Sequence, residues 1–190
     1  VNEQCRLAHA ARQGEPGAIE AFITLSHPQV RWLCASLVDE QSADDLTQET
    51  FVRALRAIRR FRGESTARTW LLSIARNVCM DELRARTRQR RKDSENAQLS
   101  ELAAIAPDVA EEVGVRDLLQ RLDPDRRIAF VLTQLVRMTY EEAAEVCGCP
   151  VGTIRSRVAR ARDDLIRLVS DTHSPKLRDA VAGARPGASA

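Results

Sequence analysis

Glycine is scarce, eight in 190 residues, and neither GxGxxG nor GxxxxGK[ST] occurs, so a glycine-rich nucleotide cradle is not expected. Aromatic residues make up only 4% of the chain. No run approaches the roughly 18 apolar residues that a membrane span needs. The opening VNEQCRLAHAARQ lacks the basic-then-apolar layout of a secretion signal, and a cytoplasmic protein is expected. Cysteines stand at 5, 34, 79, 147 and 149. Their number is odd and no two form a CxxC pair, so neither a disulfide framework nor a zinc site is indicated, and no cofactor or metal is expected. Three histidines (9, 27 and 173) are scattered, with no paired acid and nucleophile in a recognisable motif. An enzyme with a small-molecule substrate is therefore not expected.

Charge is present in quantity but unevenly laid out. The formal net charge of +2 sums opposed blocks: −5 over residues 1–52, +10 over 53–92, −6 over 93–126, −1 over 127–150 and +4 over 151–190. Two basic segments flank an acidic one, a pattern that suggests polyanion contacts. Lysine is nearly missing, since arginine supplies 27 of the 29 basic residues. Arginine's planar fork favours bidentate contacts to phosphate or guanine over diffuse attraction.

Strand signals are also nearly absent, whereas apolar residues recur at spacings of three and four almost everywhere from Ala18 to Leu168. The chain reads as all-α. Ser42 begins a Ser-Ala-Asp-Asp run that predicts a capping box with Asp45 in place of Glu, and Thr139 to Glu142 predicts a second. Pro124 and Pro150 fit first-turn positions, where a missing N–H costs nothing. Residues 93–112 (DSENAQLSELAAIAPDVAEE) are polar and acidic and read as a flexible linker between two small helical domains, 1–92 and 113–170. The last twenty residues, 171–190, are rich in Ala, Gly, Ser and Pro and read as a disordered tail.

Residues 139–168 describe a capped short helix, a Cys-Gly-Cys-Pro turn and a long arginine-rich helix. At about 100° per residue, Ile154, Val158, Ala161 and Leu165 form a narrow stripe that must face neighbouring helices. The opposite arc carries Thr153, Arg155, Ser156, Ala159 and Arg160. Small residues between arginines let a helix enter a major groove, where Arg reads guanine and Ser or Thr binds phosphate. Arg157 and Arg162 flank the arc, where backbone contacts are the better fit. The plain alternative is a solvated helix whose arginines pair with Asp163, Asp164 and the glutamates at 141, 142 and 145. Cys147 and Cys149 read as a buried structural thiol and a turn residue, with metal binding or redox sensing as the alternative.

In residues 44–92, a first helix has a broad apolar arc (Leu46, Phe51, Ala54, Leu55, Ala57, Ile58) suited to burial. Its other side mixes Asp45, Gln48, Glu49, Arg53 and Arg56 with the single apolar Val52, which marks either a protein contact or an ordinary exposed side chain. A second helix, starting near Thr69, would bury Leu71, Ile74, Ala75 and Val78 and expose Asn77, Asp81, Arg84 and Arg88. Asn77 suits a base edge, and Arg84 and Arg88 suit phosphates. Asp81 fits either a base-amine acceptor or a partner that orients Arg84.

Three stretches together resemble the RNA polymerase sigma factors of the extracytoplasmic-function (ECF) group of the sigma-70 family, over about residues 15–168. DDLTQETFVRALRAIRRF is similar to the polymerase-binding part of sigma region 2, and TARTWLLSIARNVCMDELR to its −10-reading part. LDPDRRIAFVLTQLVRMTYEEAAEVCGCPVGTIRSRVARARDDL is similar to region 4, the −35-binding helix-turn-helix. The resemblance implies an alternative sigma factor, not an enzyme, that binds core RNA polymerase through its largest subunits and directs promoter-specific initiation. Promoter DNA and an anti-sigma factor are the other partners it implies. Asp45, Gln48, Glu49 and Leu55 match polymerase-docking positions, with Val52 beside them. Arg62, Gly63, Glu64 and Ser65 match the loop that pockets a flipped −10 base, with Asn77 and Asp81 adjoining. Arg155, Ser156, Ala159 and Arg160 match −35 readers, in agreement with the helical arc.

The resemblance also implies that the acidic linker threads the cleft that later holds RNA. The group is marked by lacking the housekeeping factors' N-terminal autoinhibitory segment and middle domain. One departure stands out: Phe61 and Trp70 are the only aromatic residues from 60 to 129. Base stacking contributes roughly 1–3 kcal/mol per base, so DNA melting here is expected to rest on few contacts and to depend strictly on a good promoter.

Overall fold

The computed structural model describes residues 3–97 and 114–171. These are helical throughout, with no strand among them. Four helices come first: α1 (Glu3–Gln13), α2 (Ala18–Leu37), α3 (Ala43–Ala57) and α4 (Ala67–Ala97). A single 3₁₀ turn, Ile58–Arg60, closes α3. Then come α5 (Val115–Gln120), α6 (Pro124–Phe130), which widens into a π turn over Val131–Leu135, α7 (Tyr140–Cys147) and α8 (Val151–Asp171).

The first domain packs α1 to α4 around Phe22, Leu33, Leu37, Leu71 and Leu72, all essentially inaccessible to solvent. Each such side chain contributes roughly 1.5–3 kcal/mol by burial. Thr47 and Thr50, also buried, satisfy their hydroxyls on the carbonyls of Ala43 and Leu46 one turn back (2.6 and 2.7 Å). The Cys34 and Cys79 thiols meet between α2 and α4 at 0% exposure, and the bond from Cys34 together with burial raises the Cys79 pKa. The second domain packs α5 to α8 around Ile128, Leu132, Ile154 and Val158.

The helix starts show where local signals hold. Asp123 caps α6 by accepting from the Asp125 and Arg126 N–H groups (3.0 and 3.2 Å), with Pro124 in the first turn. The box predicted at Thr139 forms in both directions, Glu142 N–H to Thr139 Oγ1 (3.1 Å) and Thr139 N–H to Glu142 (2.9 Å). Pro150 sits just before α8, its carbonyl accepting from Thr153 and Ile154. The box predicted at Ser42 does not form. The Ser42 N–H goes to Asp39 (2.7 Å) and its hydroxyl accepts from Arg86 on α4, so a tertiary partner displaces the local cap. α4 starts at Ala67, two residues before the expected Thr69, because Thr66 caps it through Thr69 N–H (3.1 Å). The helix also runs past the boundary expected at residue 92, to Ala97, since no Pro or Gly interrupts RRKDSENA. Most of the expected linker and the expected tail lie outside the described residues.

The two domains touch. α4 packs on α7, and α2 meets α5 and α6. At this junction Arg127 is 4% exposed. Its guanidinium donates across the junction to the Leu37 carbonyl, and within its own domain to the Gln120 side chain and to the carbonyls of Gln120 (2.6 Å) and Leu122 (3.2 Å). Arg68 on α4 reaches the Val136 carbonyl (2.8 Å), and Arg116 pairs with Glu40.

Candidate nucleic-acid and polymerase interfaces

On α3, Asp45, Gln48 and Glu49 reach solvent, whereas Val52 and Leu55 are half-buried. Stepping three or four residues at a time, they form one stripe, acidic at its start and apolar toward its end. The buried side holds Leu46, Phe51, Ala54 and Ile58, as the periodicity predicts; Leu55 and Ala57 are only half-buried. Glu49 accepts from Arg53 Nε (2.7 Å), and Arg53 Nη1 continues to Asp81 on α4 (2.9 Å). A thread of charge therefore joins α3 to the polar stripe of α4.

That stripe exposes Asn77, Asp81, Arg84 and Arg88. Asn77 accepts from Arg76 (3.0 Å) through its side-chain oxygen. Asp81 is held by Arg53 and lies 3.6 Å from Arg84, the arrangement of an orienting partner. In the loop that leads into α4, Arg62, Gly63 and Glu64 are exposed and Ser65 half-buried, with Arg62 and Glu64 paired at 3.6 Å. Gly63 is required twice over: its φ is +74°, and a Cβ there would stand 3.1 Å from the His9 ring. His9 in turn packs on Phe61, which packs on Trp70, with ring centroids 5.2 Å apart in each pair. Phe61 is 3% exposed and supports the loop from beneath, so Trp70 alone of the two offers surface to a base.

The base of this region is anchored by Arg86, which pairs with Asp39 and with Glu82 (2.6 Å). Burial works against the Asp39 carboxylate, but Arg86 and the Ser42 amide and hydroxyl outweigh it and hold its pKa below the ordinary value. Each of Arg53 and Arg86 has one acid a turn back on its own helix, Glu49 and Glu82, and a second that only the fold brings in, Asp81 from α4 and Asp39 from the turn after α2.

On α8 the predicted stripe is buried, with Ile154, Val158, Ala161 and Leu165 at most 3% exposed. Arg155, Ser156, Ala159 and Arg160 are exposed on the opposite side, with Thr153 half-buried at their edge. The Ser156 hydroxyl donates to the Thr153 carbonyl (2.9 Å), and Arg155 lies 6.0 Å from the Tyr140 ring centroid. Of the acids named in the solvated alternative, Asp164 pairs with Arg167 on α8 itself and with Arg126 on α6 (2.6 Å), while Glu142 is taken up by its cap. Arg157 and Arg162, at the flanks of the arc, each have a partner within the domain. Arg157 is tied to Asp125 (2.7 Å) and to Cys149 Sγ (3.8 Å), and Arg162 to Gln134 (2.7 Å), so both hold α8 to its domain. Gly148, at φ 61°, turns the chain between α7 and α8. Cys147 beside it is buried, and burial pushes its thiol up to about 11. No group of three or more His, Cys, Asp or Glu is placed to hold a metal among the described residues.

This geometry is that of a helix-turn-helix with an exposed arginine-bearing face, packed against a four-helix domain that carries a second basic stripe, the layout of a DNA-binding class of protein. Residues 22–89 match the model of Sigma-70 region 2, and residues 112–165 that of Sigma-70 region 4. Over 163 residues the chain is 48% identical to the ECF RNA polymerase sigma factor SigC of Mycobacterium tuberculosis, covering 84% of this chain and 88% of that one. It is 33% identical over 190 residues to the RNA polymerase sigma-H factor of Pseudomonas aeruginosa, covering 92% and 96%. Among solved structures it is similar to CnrH in complex with the cytosolic domain of CnrY (TM-score 0.68, 29% identity, 90% of this chain and 100% of that one). It is also similar to the sigma factor RpoE in complex with the anti-sigma factor NepR from Bartonella quintana (TM-score 0.62, 30% identity, 81% and 98%). The chain belongs to the ECF group of sigma-70 family RNA polymerase sigma factors, which direct promoter-specific transcription. No helix among the described residues is long and apolar enough to cross a membrane.

Proposed function

We propose that this chain is a dissociable initiation factor that works in the cytoplasm and performs no covalent chemistry itself. Residues 1–92 form the docking and −10 unit, 113–170 the −35 unit, and 93–112 the connection between them. Asp45, Gln48, Glu49, Val52 and Leu55 dock on the largest polymerase subunits. The loop 62–65 with Asn77, Arg84 and Arg88 handles the −10 element, Asp81 acting by orienting Arg84. Arg155, Ser156, Ala159 and Arg160, with Thr153 at the edge, read the −35 element, and Arg157 supports them from behind. An anti-sigma factor fits as the regulator, since the similar sigma factor RpoE is seen in complex with the anti-sigma factor NepR.

The observation that carries this reading is that Arg155 and Arg160 are exposed with no ion-pair partner among the described residues, on a helix whose Arg157 and Arg162 are bonded to Asp125 and Gln134. Positions −35 and −10 are separated by about 25 base pairs, or roughly 85 Å of duplex at ~3.4 Å per pair. The residues between the described segments, 98–113, reach at most ~55 Å. On this reading the packed domains part when both elements are read at once, breaking the Arg127 and Arg68 contacts. Capture on immobilised core polymerase tests the docking half: the parent is retained and Gln48→Ala is retained less. A parent chain that never associates with core, yet binds promoter duplex tightly alone, would make it an ordinary DNA-binding regulator.

A further inference from the structure

Ile19 is 40% exposed, among the few large apolar side chains left open to solvent. It is shared by two adjoining hollows of about 560 and 510 Å³ at the α1–α2 turn and the end of α3. Leu55, Ile58, Arg12 and Arg59 line the first hollow, so any carboxylate site lies there, whereas the second is lined by Ile23 with Glu15 and Glu20. The first hollow is thus continuous with the docking stripe of α3 through Leu55. Along that stripe the chemistry changes in order: acidic at Asp45 and Glu49, apolar at Val52 and Leu55, then apolar with basic edges at Ile19, Arg12 and Arg59. From Asp45 to Ala57 the twelve-residue rise of α3 is about 18 Å, between three and four turns, and Arg59 follows in the 3₁₀ turn beyond it.

We infer that this groove is an extension of the polymerase-docking surface, taking an apolar side chain and a neighbouring carboxylate from the same part of the largest polymerase subunits that engages α3. The inference rests on the docking reading above. A helix that offers cations to Asp45 and Glu49 and apolar groups to Val52 and Leu55 would arrive at Ile19 about three to four turns further along. An acidic residue there would meet Arg12 and Arg59. Nucleic acid is the poorer match, because a phosphate chain would answer the two arginines but leave the apolar floor of Ile19, Leu55 and Ile58 uncovered.

The test measures the affinity of fluorescently labelled full-length chain for core polymerase. Ile19→Glu and Arg59→Glu are each expected to weaken binding 5- to 20-fold, and Ile19→Val to stay within twofold of the parent, with far-UV spectra unchanged. Both altered side chains are solvent-accessible, and Arg59→Glu keeps the test alive should Ile19→Glu perturb the fold. Gln48→Ala separates the two levels. If it weakens binding while Ile19→Glu and Arg59→Glu bind as the parent does, the groove is not part of the interface and the docking reading stands. If none of the three weakens binding, the docking reading fails and the groove inference falls with it. If Ile19→Glu changes only self-association in sedimentation, a second copy is the occupant and the inference is overturned.

Discussion

Arg127 offers the most demanding test of how the two domains are held. It is 4% exposed, and its two terminal nitrogens serve four acceptors, three in the second domain and the Leu37 carbonyl in the first. Arg127→Met keeps most of the aliphatic volume and removes every donor. Hydrogen bonds from a charged donor contribute about 1.5–3 kcal/mol each, but burying the guanidinium costs several kcal/mol, and breaking one side of such a buried polar cluster typically costs about 3–5 kcal/mol in total. With a urea dependence of about 2 kcal/mol per molar, a loss of 3 kcal/mol moves the midpoint down by about 1.5 M. Two probes locate the loss. Both tryptophans, Trp32 and Trp70, lie in the first domain, so their fluorescence follows that domain, while far-UV circular dichroism follows all helices. In Arg127→Met the dichroism is expected to fall before the fluorescence, because most of the orphaned acceptors belong to the second domain. A midpoint within about 0.3 M of the parent, with the two probes still coincident, would refute the structural role given to this arginine.

Three other perturbations follow from individual residues. Arg160→Ala is expected to cost about 1–3 kcal/mol at the −35 element and relax sequence preference there; unchanged footprints on matched and mismatched −35 sites would count against it. Arg137 holds a left-handed φ of 58° where the π turn ends, with Val136 N–H on the Val131 carbonyl (2.9 Å) and Met138 N–H on the Leu132 carbonyl (3.0 Å). Arg137→Gly relieves that conformation and is expected to stabilise by about 0.5–1 kcal/mol, raising Tm by roughly 2–4 °C; a lower Tm would show the turn is held some other way. Arg126 and Arg167 hold the Asp164 carboxylate below its ordinary pKa of 3.8 against the opposing effect of burial, as Arg86 does for Asp39. Both carboxylates therefore contribute stability that is fully present above about pH 4 and lost as pH falls through their lowered values. Urea midpoints measured from pH 6 to pH 2.5 should decline on the acid side, and Asp164→Asn should flatten that decline.

Much of the fold was legible because it depends on spacing within single helices. The stripe on α8, the arc on α3 and the Thr139 box each need only near neighbours in sequence; the stripe and the box are present in full, and the arc at Leu46, Phe51, Ala54 and Ile58. What sequence reasoning missed depends on partners from elsewhere. Ser42 loses its local cap because Asp39 and Arg86, the latter 44 residues away, compete for it. Arg157 and Arg162 sit where a helical projection shows open flanks, but Asp125 and Gln134 approach from 32 and 28 residues away and occupy them. Phe61 looks available for stacking until His9 and Trp70 close over it. The contact between domains left little trace in the sequence, because Arg127 and Arg68 bond to backbone carbonyls, which every residue carries.

The central claim, that this chain converts core polymerase into a promoter-specific enzyme, is tested most directly by transcription from reconstituted holoenzyme on fragmented genomic DNA, with the transcripts sequenced. The expected result is a set of discrete start sites sharing one −35 and one −10 sequence, absent with core alone and depleted with Arg160→Ala. Start sites that match those of core alone, or that share no upstream sequence, would contradict it.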